Sequence, residues 1–369
     1  MTAGMGGKLL VMAGGTGGHV YPALAVAHAL RDQGWSIDWV GTERGLEYRV
    51  VPANDIPLHC LAVRGLRGKG FLARLTGAAR LLLAVVEAFG VVRRTQPDVV
   101  LGMGGYAAGP AGLAAWLLRK PVVIHEQNAV AGTTNRLLAP LARRVLCGLP
   151  GAFSTNKATV VGNPVRADIS ALTQQTSDTP ATFTTERPLR LAVLGGSLGS
   201  KPLNEVMPAA LASLDPPVRS RLAVRHQCGP QHESATRALY AHCADVATEV
   251  LPYVEDMAAV YRWADVVVCR AGALTVAELA MSGTPSVLVP LPHAIDDHQT
   301  ANARVLSNAG GAVLLPQAEM TSARLAQLLS DFVRAPQTLI SMGEAARASA
   351  FPNATQTVAG VLQEVACVA

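Results

Sequence analysis

Leu9-Leu10-Val11-Met12-Ala13 running into Gly14-Gly15-Thr16-Gly17-Gly18-His19 is the stretch on which the fold turns. A five-residue apolar run has the length of a buried strand, and residues 21–31 have helical spacing, so the glycines read as a strand-to-helix turn. Four glycines in five residues let a backbone come close to a ligand with its N–H groups bare, and the helix start behind them favours negative charge. His19 closes the turn, where an imidazole can accept a proton near neutral pH. One such loop could simply pack a helix tightly on a strand. Here it recurs: Leu191-Ala192-Val193-Leu194 leads into Gly195-Gly196-Ser197-Leu198-Gly199-Ser200 and another helix-like segment. The chain therefore reads as two similar halves, each opening with a glycine-rich turn and serving a shared site.

The rest of the chain fits that plan. Strand-like apolar runs at 36–40, 58–63, 98–101, 121–124 and 145–147 alternate with amphipathic helix-like ones. The alternation pauses after Gly162-Asn163-Pro164, through a loop at 171–188 that carries six threonines. It resumes at 189–194, 222–227, 248–251, 266–269, 286–289 and 312–315. Short, continuous apolar strands imply parallel sheets covered on both faces. We expect two doubly wound α/β domains, residues 1–164 and 165–351, with ligands at the carboxyl ends of the strands. The helix-like tail, 352–369, has no strand after it and is expected to return to the first domain.

Composition narrows the class. The 369 residues are 50% hydrophobic and 15% charged, with a mean hydropathy of +0.28, enough for two sizeable cores. No apolar run reaches the roughly 18 to 20 residues of a spanning helix. Residues 1–13 lack the length of apolar run a signal peptide needs, so a cytoplasmic location is expected. The six cysteines are scattered, without the C-x-x-C spacing of zinc or redox sites, and read as reduced thiols. Charge is uneven: Arg64, Arg67, Lys69, Arg74, Arg80, Arg93 and Arg94 face one acid, Glu87, within a single window that outweighs the whole-chain excess of +5. In the same window Phe71, Leu72, Leu75, Leu82, Val86 and Phe89 share one broad helical face. An anionic surface is the expected partner.

Neither glycine loop has the G-x-G-x-x-G spacing of a dinucleotide site, and neither ends in the Gly-Lys-Ser/Thr of a Walker loop. Phosphate binding survives that test. Cys269-Arg270-Ala271-Gly272-Ala273-Leu274-Thr275-Val276-Ala277-Glu278 closes one strand and opens a helix. Its glycine turn can aim N–H groups at a diphosphate, and Glu278 can accept hydrogen bonds from a ribose or merely favour the helix dipole. Residues 290–303 hold His293, Asp296, Asp297, His298, Gln299 and Asn302 directly after a strand, which suits a sugar. No Asp-x-Asp occurs in the chain and no spacing suggests a metal site. His125-Glu126-Gln127-Asn128 and Gly102-Met103-Gly104-Gly105-Tyr106 add polar and glycine-rich strand exits in the first half.

In order along the chain, Gly14 to His19, His125 to Asn128, Gly162-Asn163-Pro164-Val165-Arg166, Gly195-Gly196-Ser197, Arg270 to Thr275 with Glu278, and His298-Gln299 with Asn302 resemble the motif set of the MurG family. Its members are inverting UDP-N-acetylglucosamine transferases of peptidoglycan synthesis that convert lipid I to lipid II. The resemblance implies a GT-B fold, two Rossmann-like domains with the active site in the cleft. The first would face acceptor and membrane, and the second would hold the UDP-sugar. It places Thr16, Gly17, Gly18, Asn128 and Arg166 near the donor, Ser197 at the diphosphate and Val254 beside the uracil. Ala273, Leu274, Thr275, Val276, Ala277 and Glu278 would hold phosphate and ribose, and Gln299 would read N-acetylglucosamine. Leu198 departs from the family's usual glutamine. No cofactor and no metal are implied. The partners would be UDP-N-acetylglucosamine, lipid I and the anionic cytoplasmic face of the inner membrane, with cell-wall assembly proteins as candidates beside them and no nucleic acid. His19 is the first candidate for the base and Glu126 its rival. A UDP-sugar epimerase of the same architecture, or a non-catalytic membrane-associated UDP-sugar-binding protein, would share the nucleotide pocket.

Overall fold

The computed structural model describes residues 6–63, 71–154, 157–174, 179–292 and 295–368, with the backbone alone at 71–79 and 295. The chain divides into two compact units, Met1–Arg166 with Asn353–Ala369, and Ala167–Pro352.

In the first unit the strands are β1 (Lys8–Ala13), β2 (Ser36–Gly41), β3 (Leu58–Cys60), β4 (Val99–Gly104), β5 (Val122–Glu126), β6 (Arg144–Cys147) and β7 (Ala158–Val160). They form one parallel sheet in the order β3-β2-β1-β4-β5-β6-β7. Alternate residues of β1 feed opposite faces. Leu9, Val11 and Ala13 pack with the helix Gly17–Arg31 and with Val358, Ala359, Leu362 and Val365 of the last helix, Ala354–Cys367. Leu10 and Met12 pack on the other side with Ala88, Val91 and Val92 of the helix Phe71–Thr95 and with the alanines of Ala108–Leu117. A strand buried on both faces must be apolar throughout, which is why β1 reads as an unbroken run.

The second unit repeats the plan with β8 (Leu189–Leu194), β9 (Leu222–Gln227), β10 (Ala247–Leu251), β11 (Val266–Cys269), β12 (Ser286–Leu288) and β13 (Ala312–Leu314). Their order is β10-β9-β8-β11-β12-β13, again parallel. In each sheet the sequence order reverses once, between β1 and β4 and between β8 and β11. Those switch points open a crevice at the strands' carboxyl ends, and both glycine loops sit there.

Three details depart from the sequence reading. The first helix starts at Gly17 rather than 21, because two glycines of the turn already belong to it. The strand expected over 58–63 is confined to Leu58–Cys60. The three-residue edge strand β7 carries too little apolar pattern to announce itself.

Candidate active site

At the first switch point the pairing of β1 with β4 slips: Met12 lies opposite Gly102 and Ala13 opposite Gly104, so Met103 is an extra residue. The bulge turns β4 into Gly104 and Gly105, which take φ of 97° and 92°. A Cβ on Gly105 would run into the Gly14 carbonyl, so the two strand exits meet backbone to backbone. His19, half-buried, stands over this contact. Its Nδ1 is 3.1 Å from the Gly14 carbonyl oxygen. A carbonyl only accepts, so Nδ1 carries the proton and Nε2 keeps its lone pair. Thr16 is exposed and its carbonyl accepts from the N–H groups of His19 and Val20, while Gly17 and Gly18 form the first helical positions.

The expectation of bare N–H groups fails at Gly15. Its N–H donates to Oε2 of Glu47 at 2.8 Å. Glu47 is fully buried, and its Oε1 accepts from the Thr42 N–H at 2.9 Å and the Thr42 hydroxyl at 2.8 Å. Sequence reading missed this carboxylate because Arg44-Gly45-Leu46-Glu47 looks like an ordinary exposed turn. The signal lay in Gly14, Gly41 and Gly45, where any Cβ would collide with the Glu47 side chain.

At the exit of β5, Glu126 is 2% exposed. Its Oε1 accepts from the N–H and Nδ2 of Asn128 at 3.0 and 3.1 Å, and its Oε2 from the Gly132 N–H at 3.0 Å and Asn135 Nδ2 at 2.8 Å. Four donors converge on this carboxylate. That occupancy is a poor arrangement for a proton acceptor and a good one for shaping the loop that presents Asn128. His125, wholly buried, donates from Nε2 to the Gly162 carbonyl at 3.0 Å, and Asn163 donates to the Gln127 carbonyl at 3.0 Å. The motif at 162–166 is thereby tied to the one at 125–128. Burial lowers the pKa of His125, which stays neutral. Arg166 closes the first unit.

In the second unit Gly196 and Gly199 take φ of 86° and 77°, and Gln227 Nε2 donates to the Gly196 carbonyl at 2.6 Å. Ser197 and Leu198 stand exposed on this turn, Leu198 at 82%. Beside it, Arg270 gathers three loops: Nη2 donates to the Ser200 hydroxyl and to Gln317 Oε1, each at 2.7 Å, and Nη1 reaches the Val289 and Pro290 carbonyls at 3.3 Å. Desolvation lowers the pKa of this guanidinium, which remains charged at any ordinary pH.

Gly272 caps the helix Ala273–Ser282, whose start carries Ala273, Leu274, Thr275, Val276 and Ala277 at the end of β11. Glu278, 7% exposed, accepts from the Tyr261 hydroxyl at 2.8 Å. Tyr261 was not foreseen; it lies on the helix Met257–Trp263. That helix begins just after Val254, half-buried, and Tyr261 joins it to the helix Ala273–Ser282. Gln299 Oε1 accepts from the Leu291 N–H at 2.9 Å. Asn302, fully buried, donates to the Ala271 carbonyl at 3.2 Å. His293 lies outside the described residues.

The six cysteines are free thiols, and Cys60 and Cys367 are exposed. Burial, reinforced by Glu126, pushes Cys147 up to about 11, and burial with Glu278 pushes Cys269 up to about 12, which leaves both thiols protonated and unreactive. Among the described residues no group of three or more His, Cys, Asp or Glu is arranged to hold a metal ion, and no helix is long and apolar enough to cross a membrane. On the helix Phe71–Thr95, Leu82 and Val86 are 66% and 63% exposed, Leu83 is 62% exposed, and Phe89 lies 6.0 Å beneath the Arg93 guanidinium. The side chains of Phe71, Leu72, Arg74 and Leu75, with Arg64, Arg67 and Lys69, lie outside the described residues.

Two Rossmann-like units, each matched by a glycosyltransferase family model, define a glycosyltransferase of the GT-B class. The glycosyltransferase family 28 N-terminal domain matches residues 9–147, and the family 28 C-terminal domain matches residues 190–358. The chain is 52% identical over 357 residues, 96% of each chain, to the UDP-N-acetylglucosamine–N-acetylmuramyl-(pentapeptide) pyrophosphoryl-undecaprenol N-acetylglucosamine transferase of Chromohalobacter salexigens. It is 53% identical to the enzyme of that name from Alkalilimnicola ehrlichii, over 97% of this chain and 99% of the other. The crystal structure of Acinetobacter baumannii MurG superposes with a TM-score of 0.82 at 42% identity, covering 97% of this chain and 99% of that one. The chain belongs to glycosyltransferase family 28, in its MurG branch.

Proposed function

We infer that this protein transfers N-acetylglucosamine from UDP-N-acetylglucosamine to the muramyl 4-hydroxyl of lipid I, giving lipid II. The observation that carries the reading is 52% identity across 96% of the chain to a transferase named for that reaction. An epimerase of the same architecture would share the fold without that identity.

The chemistry is an inverting displacement, in which the hydroxyl attacks the anomeric carbon as UDP leaves from the opposite face and an α-linked donor gives a β-linked product. His19 serves as the base: the proton on Nδ1 is committed to the Gly14 carbonyl, which leaves Nε2 to take the hydroxyl proton. Glu126 is a positioning group that holds Asn128. Charge growing on UDP is met by backbone N–H groups at Ser197 and at the start of the helix Ala273–Ser282, with Arg166 adding a cation. Glu278 takes the ribose, Val254 the uracil and Gln299 the transferred sugar, while Thr16, Gly17 and Gly18 border the reacting centre. The exposed Leu82, Leu83 and Val86 favour peripheral binding at the anionic cytoplasmic face of the inner membrane, where the acceptor's undecaprenyl chain is anchored.

Incubation with radiolabelled UDP-N-acetylglucosamine and a lipid I analogue tests the assignment. A β-linked disaccharide lipid is expected. Label released only as the free sugar or as an epimer would refute it.

A further inference from the structure

Glu47 and His19 do not touch, yet they grip opposite ends of one peptide group. The Gly15 N–H donates to Glu47 Oε2 at 2.8 Å. The Gly14 carbonyl, the other end of that same amide, accepts from His19 Nδ1 at 3.1 Å. Withdrawing the amide hydrogen toward a carboxylate increases electron density on the amide oxygen, so each bond of such a chain strengthens the next. Glu47 has no exposed surface, and its three partners are all donors, the Gly15 N–H, the Thr42 N–H and the Thr42 hydroxyl. That set fits an ionised carboxylate, an acceptor only.

We propose that Glu47 is a positioning residue that fixes the tautomer of His19 through the Gly14–Gly15 peptide. The arrangement does the work of a carboxylate bound directly to an imidazole, with one amide interposed. The burial of Glu47 beneath the turn keeps its charge away from substrate. The value of this device for catalysis rests on His19 being the base, whereas the coupling itself does not.

The test separates the two. Nitrogen-15 chemical shifts of His19 at about pH 8, where an ordinary imidazole is neutral, report which ring nitrogen bears the proton. In the wild-type enzyme it should be Nδ1, and the Gly15 amide proton should be shifted downfield and protected from exchange. Finding the Nε2–H tautomer, or an unprotected Gly15 amide, would overturn the proposal, and neither measurement needs a variant. In Glu47→Gln one backbone N–H is left facing the new side-chain NH2; because two Thr42 donors share Oε1, that N–H is the one of Gly15. That clash should turn the Gly14–Gly15 peptide and draw its carbonyl away from Nδ1. His19 should therefore move toward the Nε2–H tautomer and kcat should fall about 10- to 100-fold, the range known for losing the partner that orients a metal-bound histidine, with the Kd for UDP nearly kept. An unchanged tautomer in the folded variant would refute the coupling. A changed tautomer with full turnover would uphold the coupling and remove His19 as the base.

Discussion

Replacement of Glu278 by alanine is the sharpest test of the donor site. The carboxylate is 7% exposed and its Oε2 already receives the Tyr261 hydroxyl at 2.8 Å, so it is held in place before any donor arrives. Hydrogen bonds to a charged group contribute about 1.5 to 3 kcal/mol. Loss of the ribose contact should therefore weaken UDP-N-acetylglucosamine binding about 10- to 150-fold, at 1.4 kcal/mol per factor of ten. Tyr261→Phe removes only the group that orients the carboxylate and should cost about 0.5 to 1.5 kcal/mol. Isothermal titration with UDP and with its 2′- and 3′-deoxy analogues gives the decisive comparison. A deoxy analogue should bind the wild type weakly and lose little further in Glu278→Ala, because the contact is already gone. Fully additive losses would mean that the hydroxyls are held elsewhere and that Glu278 serves the fold alone.

Three further outcomes are expected. His19→Ala should lower kcat about 10²- to 10⁴-fold with donor affinity nearly kept and the acidic limb of the pH–rate profile lost; loss of UDP binding with that limb intact would make His19 a pocket residue instead. Leu82→Ser with Val86→Ser should reduce sedimentation with anionic vesicles, and wild-type binding should fall with salt, each nearby basic residue contributing about 1 kcal/mol; equal binding to neutral vesicles would refute this. His226, held neutral by burial with its pKa lowered to about 3, bridges Tyr240 at 2.7 Å and Asn204 at 3.0 Å. The unfolded chain takes up this proton near pH 6.5 while the folded one does not, so the contribution is complete above about pH 6.5 and is lost as pH falls toward 3, by up to about 1.4 kcal/mol per pH unit. Urea midpoints of wild type and His226→Gln should converge over that window, and parallel curves would contradict the assignment.

Much of this architecture was legible because a parallel sheet buried on both faces leaves an unmistakable trace: residues 9–13 of β1 and 191–194 of β8 are continuous apolar runs ended by glycine, and β11 is a fully apolar one. The glycines also marked both switch points, since close backbone approach excludes any side chain, as at Gly105 against Gly14. Legibility failed where partners come from distant sequence. Glu126 looked like a possible base because a carboxylate at a strand exit is ambiguous until its donors, among them Gly132 and Asn135, fold back onto it. Tyr261 gave no signal for the same reason, since its meaning comes from a contact with Glu278 that one-dimensional spacing cannot express, and Glu47 left only an indirect trace in the glycines packed around it.

The last helix belongs to the first unit, where Val358, Ala359, Leu362 and Val365 join Leu9 and Val11 in one core. During synthesis, then, β1 waits for the helix Ala354–Cys367, which is made only after the whole second unit. The second unit is a single uninterrupted stretch, Ala167–Pro352, and has all its strands once residue 314 has left the ribosome. The first unit must hold an open apolar face, about one helix wide, until the helix Ala354–Cys367 has been made. A nascent chain stalled shortly before residue 354 would offer that face to chaperones, and a stop codon there would send the amino-terminal sheet to proteolysis while sparing the carboxyl-terminal one.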